Sequence, residues 1–241
     1  MKKLTLLSAS LIAITLTAQE NKSWHFGIQS SNHGNISKFS EGSQNANARF
    51  TNNKYEGMSF GLLARYDYNK HWMAETQLGF STFGFSYSIA ENYSLLNFKK
   101  RISSLKTEFF SVQIPLSIYY KFNPNCKNNR WLIGAGLVAN FTEAKTVDKF
   151  FEKTNEGSVS TNYLSSSSTS KATAISMLRF SLGREKNFKN DSFLNMILMF
   201  NVGLNTIAKS TVNYTIDGIN YHHEFTNSGN FVGLRMAYFF K

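Results

Sequence analysis

The stretch FSVQIPLSIYYKF, residues 110–122, alternates without interruption. Phe110, Val112, Ile114, Leu116, Ile118, Tyr120 and Phe122 fall on one side of an extended chain. Ser111, Gln113, Pro115, Ser117, Tyr119 and Lys121 fall on the other, because successive side chains of a strand point to opposite faces. At about 3.3 Å per residue the segment makes a strand of roughly 43 Å, far longer than the five or six residues usual in soluble domains. Tilted by about 40°, it rises roughly 33 Å, enough to cross an apolar band of about 25 Å.

The pattern recurs on both sides of this segment. Residues 58–68 set Phe60, Leu62, Ala64, Tyr66 and Tyr68 against Ser59, Gly61, Arg65 and Asp67. Residues 72–82 set Trp72, Ala74, Leu78 and Phe80 against Glu75, Gln77, Gly79 and Ser81. Residues 131–141 set Trp131, Ile133, Ala135, Leu137, Ala139 and Phe141 against Gly134, Gly136 and Asn140. Further on, Leu178, Phe180 and Leu182 oppose Arg179, Ser181 and Gly183, and Leu194, Met196, Leu198, Phe200, Val202 and Leu204 oppose Asn195, Asn201, Gly203 and Asn205. Val232, Leu234, Met236, Tyr238 and Phe240 close the chain against Gly233, Arg235 and Ala237, and a weaker first segment sets Trp24, Phe26 and Ile28 against His25, Gly27 and Gln29. Eight strands, an even number, predict an all-β, eight-stranded antiparallel transmembrane β-barrel. Long polar connections at about 32–55, 88–106, 144–171 and 206–228 alternate with short ones near 69–70, 123–129 and 185–191. That layout predicts long outer loops and short periplasmic turns.

Alternation alone also suits a soluble lipocalin-like barrel, whose apolar face points inward. Two features assign the apolar face to lipid instead. The polar face is rich in Gly, Ser, Asn and Gln and poor in charge, as a narrow packed lumen requires. Aromatic residues also gather at the short-turn end: Trp24, Trp72 and Trp131 open strands, and Tyr68, Tyr120, Phe122, Tyr238 and Phe240 close them. This is the placement of an interfacial aromatic girdle. The inward charges, Arg65, Asp67, Glu75, Lys121, Arg179 and Arg235, must be paired or wet. We expect a lumen network in which Glu75 and Asp67 each contact one or more of Arg65, Arg179 and Arg235, plugging the barrel. Proline cannot donate to a sheet ladder, so a bulge or bend is expected at Pro115.

Residues 1–18 read as a cleaved secretory signal, leaving 19–241 as the outer-membrane barrel domain. Lys2 and Lys3 form its basic start, Leu4 to Leu16 its apolar core, and Thr17 and Ala18 its small-residue end. The remaining chain carries 24 basic and 15 acidic residues, a charge of +9. Export argues against nucleic acid as a partner. A basic exterior can meet anionic lipid head groups, but scattered Lys and Arg that simply keep turns and loops hydrated are the reading the sequence favours. A single cysteine, Cys126, excludes an intramolecular disulfide framework. Aromatics at 15% and charged residues at 17% exclude a disordered chain.

Val112-Gln113-Ile114-Pro115-Leu116, followed by Tyr119-Tyr120-Lys121-Phe122, resembles the central strand of the PorT-like outer-membrane barrel family. Gly61-Leu62-Leu63-Ala64-Arg65-Tyr66 before a tight turn, Trp131-Leu132-Ile133-Gly134-Ala135-Gly136 opening the next strand, and the signal ending Thr17-Ala18-Gln19 are similar too. The resemblance covers essentially the whole chain after the signal and rests on pattern more than on invariant residues. It implies an eight-stranded barrel. The member that names the family serves the type IX secretion system, while most members share only the barrel.

Chemistry-bearing clusters are sparse. His222 and Glu224 would share a strand face while His223 would not, and the segment reads as a solvated loop rather than as a metal site. The serines at 165–168 read as a flexible loop. His33, His222 and His223 at the outer rim lack a visible activating partner for a hydrolase serine, and His25 and His71 lie near the short turns. Asn97-Phe98-Lys99-Lys100-Arg101 is a basic run in an outer loop, able to meet lipopolysaccharide phosphates or simply to stay hydrated. No catalytic, metal or cofactor residues are assigned. The expectation is a monomeric, non-enzymatic outer-membrane barrel with a plugged lumen. Its partners would be outer-membrane lipids, lipopolysaccharide among them, and envelope or secretion proteins. A narrow small-solute or ion channel and a lipid-modifying enzyme are the alternatives.

Overall fold

The computed structural model describes residues 24–39, 50–92, 99–124, 128–154, 161–171, 174–216 and 219–240. The strands are β1 (Trp24–Phe39), β2 (Phe50–Asn53), β3 (Tyr55–Asp67), β4 (Trp72–Asn92), β5 (Lys99–Lys121) and β6 (Asn129–Thr142). They are followed by β7 (Lys145–Thr154), β8 (Thr161–Ser170), β9 (Ala174–Asn187), β10 (Phe193–Gly203), β11 (Ala208–Ile216) and β12 (Ile219–Phe239). These twelve segments make eight staves, because β2–β3, β6–β7, β8–β9 and β10–β11 each continue one another in the same direction. All pairings are antiparallel, and β12 pairs with β1 to close the sheet.

The register fixes the shape of the cylinder. Following Cα partners around it, His25 leads through Arg65, Glu75, Ser117, Gly136, Arg179, Asn201 and Phe231 back to Asn35. One circuit therefore returns to β1 ten residues further along, from position 25 to position 35. Eight strands with that stagger tilt by about 41° and enclose a backbone radius of about 8 Å, too narrow for an open aqueous pore once side chains are added.

Outside this cylinder the apolar set faces away from the protein. Leu116 is 61% exposed, Leu198 38% and Leu234 49%. Inside, Ser111, Gln113, Ser117, Gln77, Asn140, Asn195 and Asn201 are buried. They share the space with apolar side chains, Met73, Tyr119, Leu132, Ile197, Met199 and Phe231 in one cluster and Leu63, Phe193, Ala237 and Phe239 in another. The centre is thus less polar than alternation predicts.

The long polar connections are a correction. Most of their length is strand: β1 runs on to Phe39, β4 to Asn92, β5 starts at Lys99, and β7, β8 and β11 lie wholly within them. The physical reason is a switch of phase. Along β4 the outward apolar residues end at Phe80, and the inward Phe83, Phe85 and Tyr87 take over; along β5 the inward Leu105 and Phe109 give way to the outward Phe110. Below the switch hydrocarbon lies outside, so oily side chains point out; above it water lies outside, so they point in. The upper staves form two sheets, β2–β4–β5 and the end of β1 with β12–β11–β8–β7. Phe85, Tyr87, Leu164, Val212, Tyr214 and Phe225 belong to the cluster packed between them. The serine tract read as a loop is β8, with Ser166, Ser168 and Ser170 buried and the Ser168 hydroxyl 2.7 Å from that of Ser210. Ser, like Thr, extends a strand when its neighbours supply ladder bonds.

A collar of irregularities marks the transition. The β1–β12 register shifts between Asn35 and Ser37, opposite Gly229, whose φ of 77° is the left-handed conformation glycine adopts freely. Its N–H donates to Asn227 Oδ1 at 2.8 Å, and Asn227 Nδ2 reaches across to the Gly84 carbonyl at 3.1 Å. Pro115 is the second correction, since no bulge forms there. The β4–β5 register is the same before and after it, Thr76 opposite Leu116 and Gly79 opposite Gln113. The register holds because a gap in the β4–β5 ladder suffices to seat the proline ring, while Pro115 stays paired with Val138 on β6. The Thr76 hydroxyl donates to the Pro115 carbonyl at 2.9 Å.

Candidate functional site

The lumen charges gather because strand parity points them inward and the stagger stacks them. Arg65 and Glu75 are direct cross-strand partners, and Asp67 lies two residues from Arg65 on the same face. In the first cluster Arg65 Nε donates to Asp67 Oδ1 at 2.7 Å, and its Nη2 to Oδ2 at 3.0 Å. Its Nη1 donates to Glu185. Lys121 Nζ sits 3.1 Å from Asp67, Arg130 Nε 2.7 Å from Glu185, and His25 Nε2 3.6 Å from Asp67. The Arg65 guanidinium also lies 4.3 Å from the centre of the Phe193 ring, a cation–π contact strengthened by exclusion of water. In the second cluster Arg235 donates through both terminal nitrogens to Glu75. Arg179 is apart: its Nε donates to Asn201 Oδ1 at 3.0 Å, and no carboxylate pairs with it among the described residues.

Sequence reading had no place for Glu185, Arg130 or His25 in this network. Glu185 continues the inward series Arg179, Ser181, Gly183 by one more step, and it is wholly buried. The signal is present, but the apolar half of the alternation ends at Leu182, so the local pattern stops short of Glu185. Arg130 precedes Trp131 in the same way.

At the short-turn end the aromatic side chains form a discontinuous ring. Trp24, Trp72, Trp131, Tyr68, Phe122 and Phe240 are exposed, and Tyr120 and Tyr238 partly so. Trp72 meets Tyr120 edge-on at 5.2 Å, Tyr120 meets Phe122 at 5.1 Å, and Tyr238 meets Phe240 at 5.4 Å. Tyr66 and Phe188 join them through Trp24 and Tyr238. His71 stacks on Tyr120 at 5.6 Å.

Above the charges the lumen narrows to a cavity of about 10 Å³, lined by residues including His33, Ser81, Gln113, Asn140 and Phe231, roughly the room one water needs. His33 is buried with Nε2 3.0 Å from the Thr82 carbonyl. His222, His223 and Glu224, read as a solvated loop, lie on β12. His222 Nδ1 is 2.6 Å from Asn213 Oδ1 and its Nε2 3.9 Å from Glu224. His223 points inward, 2.8 Å from the Tyr214 hydroxyl. Among the described residues neither His33 nor His222 bonds a serine. No group of three metal-ligating side chains forms among the described residues. Lys99, Lys100 and Arg101 lie on β5 rather than in a loop. Residues 1–23, Asn97, Phe98 and Cys126, with the readings placed on them, lie outside the described residues.

Burial, reinforced by neighbouring His222, pushes the His223 imidazole below its ordinary value of 6.5. The folded outer layer therefore binds this proton less readily than the unfolded chain does. Its contribution to stability is complete above pH 6.5 and declines as the pH falls below that value. Limited proteolysis of the barrel in liposomes is expected to cut the β11–β12 hairpin faster under mildly acidic conditions. His223→Gln is expected to flatten that dependence, and an unchanged pH profile would contradict the assignment.

The outward belt decides where the cylinder sits. Phe80 is 67% exposed, Phe110 72%, and Ile114, Ile118, Ile133, Leu137, Phe180 and Met236 are exposed as well. Such a continuous apolar girdle on a closed sheet has hydrocarbon as its solvent, and this is an outer-membrane barrel. No family model matches the chain, and no curated protein matches it. Among solved structures, OprG from Pseudomonas aeruginosa aligns with a TM-score of 0.41 and 11% identity, over 90% of this chain and 94% of that one. AlkL, solved in lipid bilayers, aligns at 0.39 and 15%, over 90% of each chain. Neisserial surface protein A aligns at 0.37 and 15%, over 87% of this chain and 95% of that one. Similarity at this level adds nothing to the strand pairing and the belt, which carry the assignment by themselves.

Proposed function

We propose that this protein works as an interaction scaffold of the outer membrane rather than as a pore or an enzyme, with its two ends as the contact surfaces. The observation that carries this reading is the filling of the lumen at successive levels. Arg65, Asp67, Lys121, Arg130 and Glu185 occupy its inner end, Glu75 and Arg235 the level above, and the Asn227–Gly84 bridge and the apolar cluster the top. An ion entering from either side would have to break ion pairs or cross an oily layer. In planar lipid bilayers the purified barrel is expected to give no steady conductance steps. Stable ohmic steps would overturn the scaffold reading in favour of a narrow channel.

The resemblance to PorT-like barrels supports a more specific form of the proposal, an accessory role in type IX secretion through the short-turn rim. A deletion strain is then expected to retain type IX cargo in the periplasm while its outer membrane stays intact. Normal cargo release would remove the secretion role and leave the scaffold.

A further inference from the structure

The basic excess of the chain has a location, and it is the short-turn end. Exposed cations there include Lys70, Arg184, Lys186 and Lys189. The carboxylates of that end are turned inward or paired: Glu75 and Glu185 are buried, and Asp67 is held by Arg65 and Lys121. Asp191, in the turn after β9, is exposed.

Two of these cations face outward, towards lipid. Arg184 and Lys186 follow Leu178, Phe180 and Leu182 in the outward series of β9, while Gly183 and Glu185 point into the barrel. Arg184 lies between Trp131 on β6 and Met196 on β10 in the sheet, and Lys186 between Asn129 and Leu194. The Arg184 guanidinium is 6.0 Å from the Trp131 ring centre, and Lys186 Nζ 5.7 Å from that of Phe188. Neither forms an ion pair among the described residues. At the strand tilt derived above, Arg184 lies about 5 Å and Lys186 about 10 Å beyond Leu182 along the membrane normal. That is the depth of the lipid head groups, just past the exposed Ile133, Leu182 and Met196.

We propose that Arg184 and Lys186, flanked by Trp131 and Phe188, form a binding site for one anionic phospholipid of the inner leaflet. The Arg184 fork and the Lys186 ammonium receive the phosphodiester, which both residue types bind with charge-assisted hydrogen bonds. The acyl chains lie along Ile133, Leu182 and Met196. A zwitterionic lipid brings its own cation to the same spot and loses to an anionic one by electrostatics. The site commits to phospholipid rather than lipopolysaccharide because the short turns face the periplasm in this architecture. It rests on the membrane assignment of the belt, but not on whether the lumen conducts.

Native mass spectrometry of the full-length barrel from mixed micelles of phosphatidylglycerol and phosphatidylcholine tests the site. The wild type is expected to retain phosphatidylglycerol preferentially, and the Arg184→Gln, Lys186→Gln double variant to lose that preference by about thirtyfold. The outer-layer double variant Lys106→Gln, Lys209→Gln should bind like the wild type, and the swap Arg184→Lys, Lys186→Arg should keep the preference. Equal retention by the first variant, equal loss in the outer-layer variant, or no preference in the wild type would each overturn the proposal. Heat-modifiable migration on gels reports folding of every variant. A wild type that fails to fold into any lipid would instead count against the belt.

Discussion

Glu185→Gln is expected to lower the stability of the folded barrel by about 3–5 kcal/mol, the cost of leaving a buried ion without its counter-ion. The carboxylate is wholly buried and serves Arg65 on one side and Arg130 on the other. Glutamine keeps the volume and one acceptor but removes the charge, so the Arg65 guanidinium keeps only the partly exposed Asp67. The comparison variant Asp67→Asn should cost less, because its site is 22% exposed and water takes up part of the loss. Urea midpoints for refolding into phospholipid vesicles read both. A joint replacement, Arg65→Met with Glu185→Leu, should recover part of the stability, since a packed apolar pair often replaces a buried ion pair without loss, while Arg130 loses its carboxylate and Asp67 keeps only Lys121 and His25. If Glu185→Gln changes the midpoint no more than a surface pair would, the ion network contributes little to the fold.

The second large effect is expected at the belt. Leu116→Arg, halfway along the exposed series from Phe110 to Phe122, should cost about 2–4 kcal/mol in a bilayer, while Phe122→Arg at the rim should cost about 0–1 kcal/mol. The contrast with depth is the diagnostic, because a barrel facing water would tolerate an arginine equally at both positions. The reversed phase above the collar supplies the opposite control. Phe85→Ala, wholly buried between the two upper sheets, should cost about 3–5 kcal/mol as a core cavity would. Its effect should be the same in detergent and in bilayer.

The membrane-spanning strands were legible because each repeats one simple rule over many residues. Along 110–122 no position breaks the alternation, so strand, tilt and lipid-facing side follow together. The outer layer was hidden by its own change of rule. Phe83, Phe85 and Tyr87 keep period two but sit on the opposite phase to Trp72, Leu78 and Phe80, and a reader tracking one face sees the pattern dissolve into a loop. The serines of β8 add to this, since nothing in a serine run announces which neighbour will complete its ladder. In the lumen, the inward orientation of Arg65, Asp67, Glu75, Lys121, Arg179 and Arg235 followed from parity. Partner choice did not: the approach of Arg65 to Glu185 depends on a ten-residue stagger summed over the whole circuit, which no local segment contains.

The ion pairs join chain segments very far apart, Glu75 to Arg235 across 160 positions and Arg65 to Glu185 across 120. A stave entering hydrocarbon by itself would carry its arginine or glutamate unaccompanied, at a cost comparable with the entire stability of a typical folded protein. Insertion of the strands together, each charge meeting its counter-charge before or while it passes into the lipid, avoids that cost.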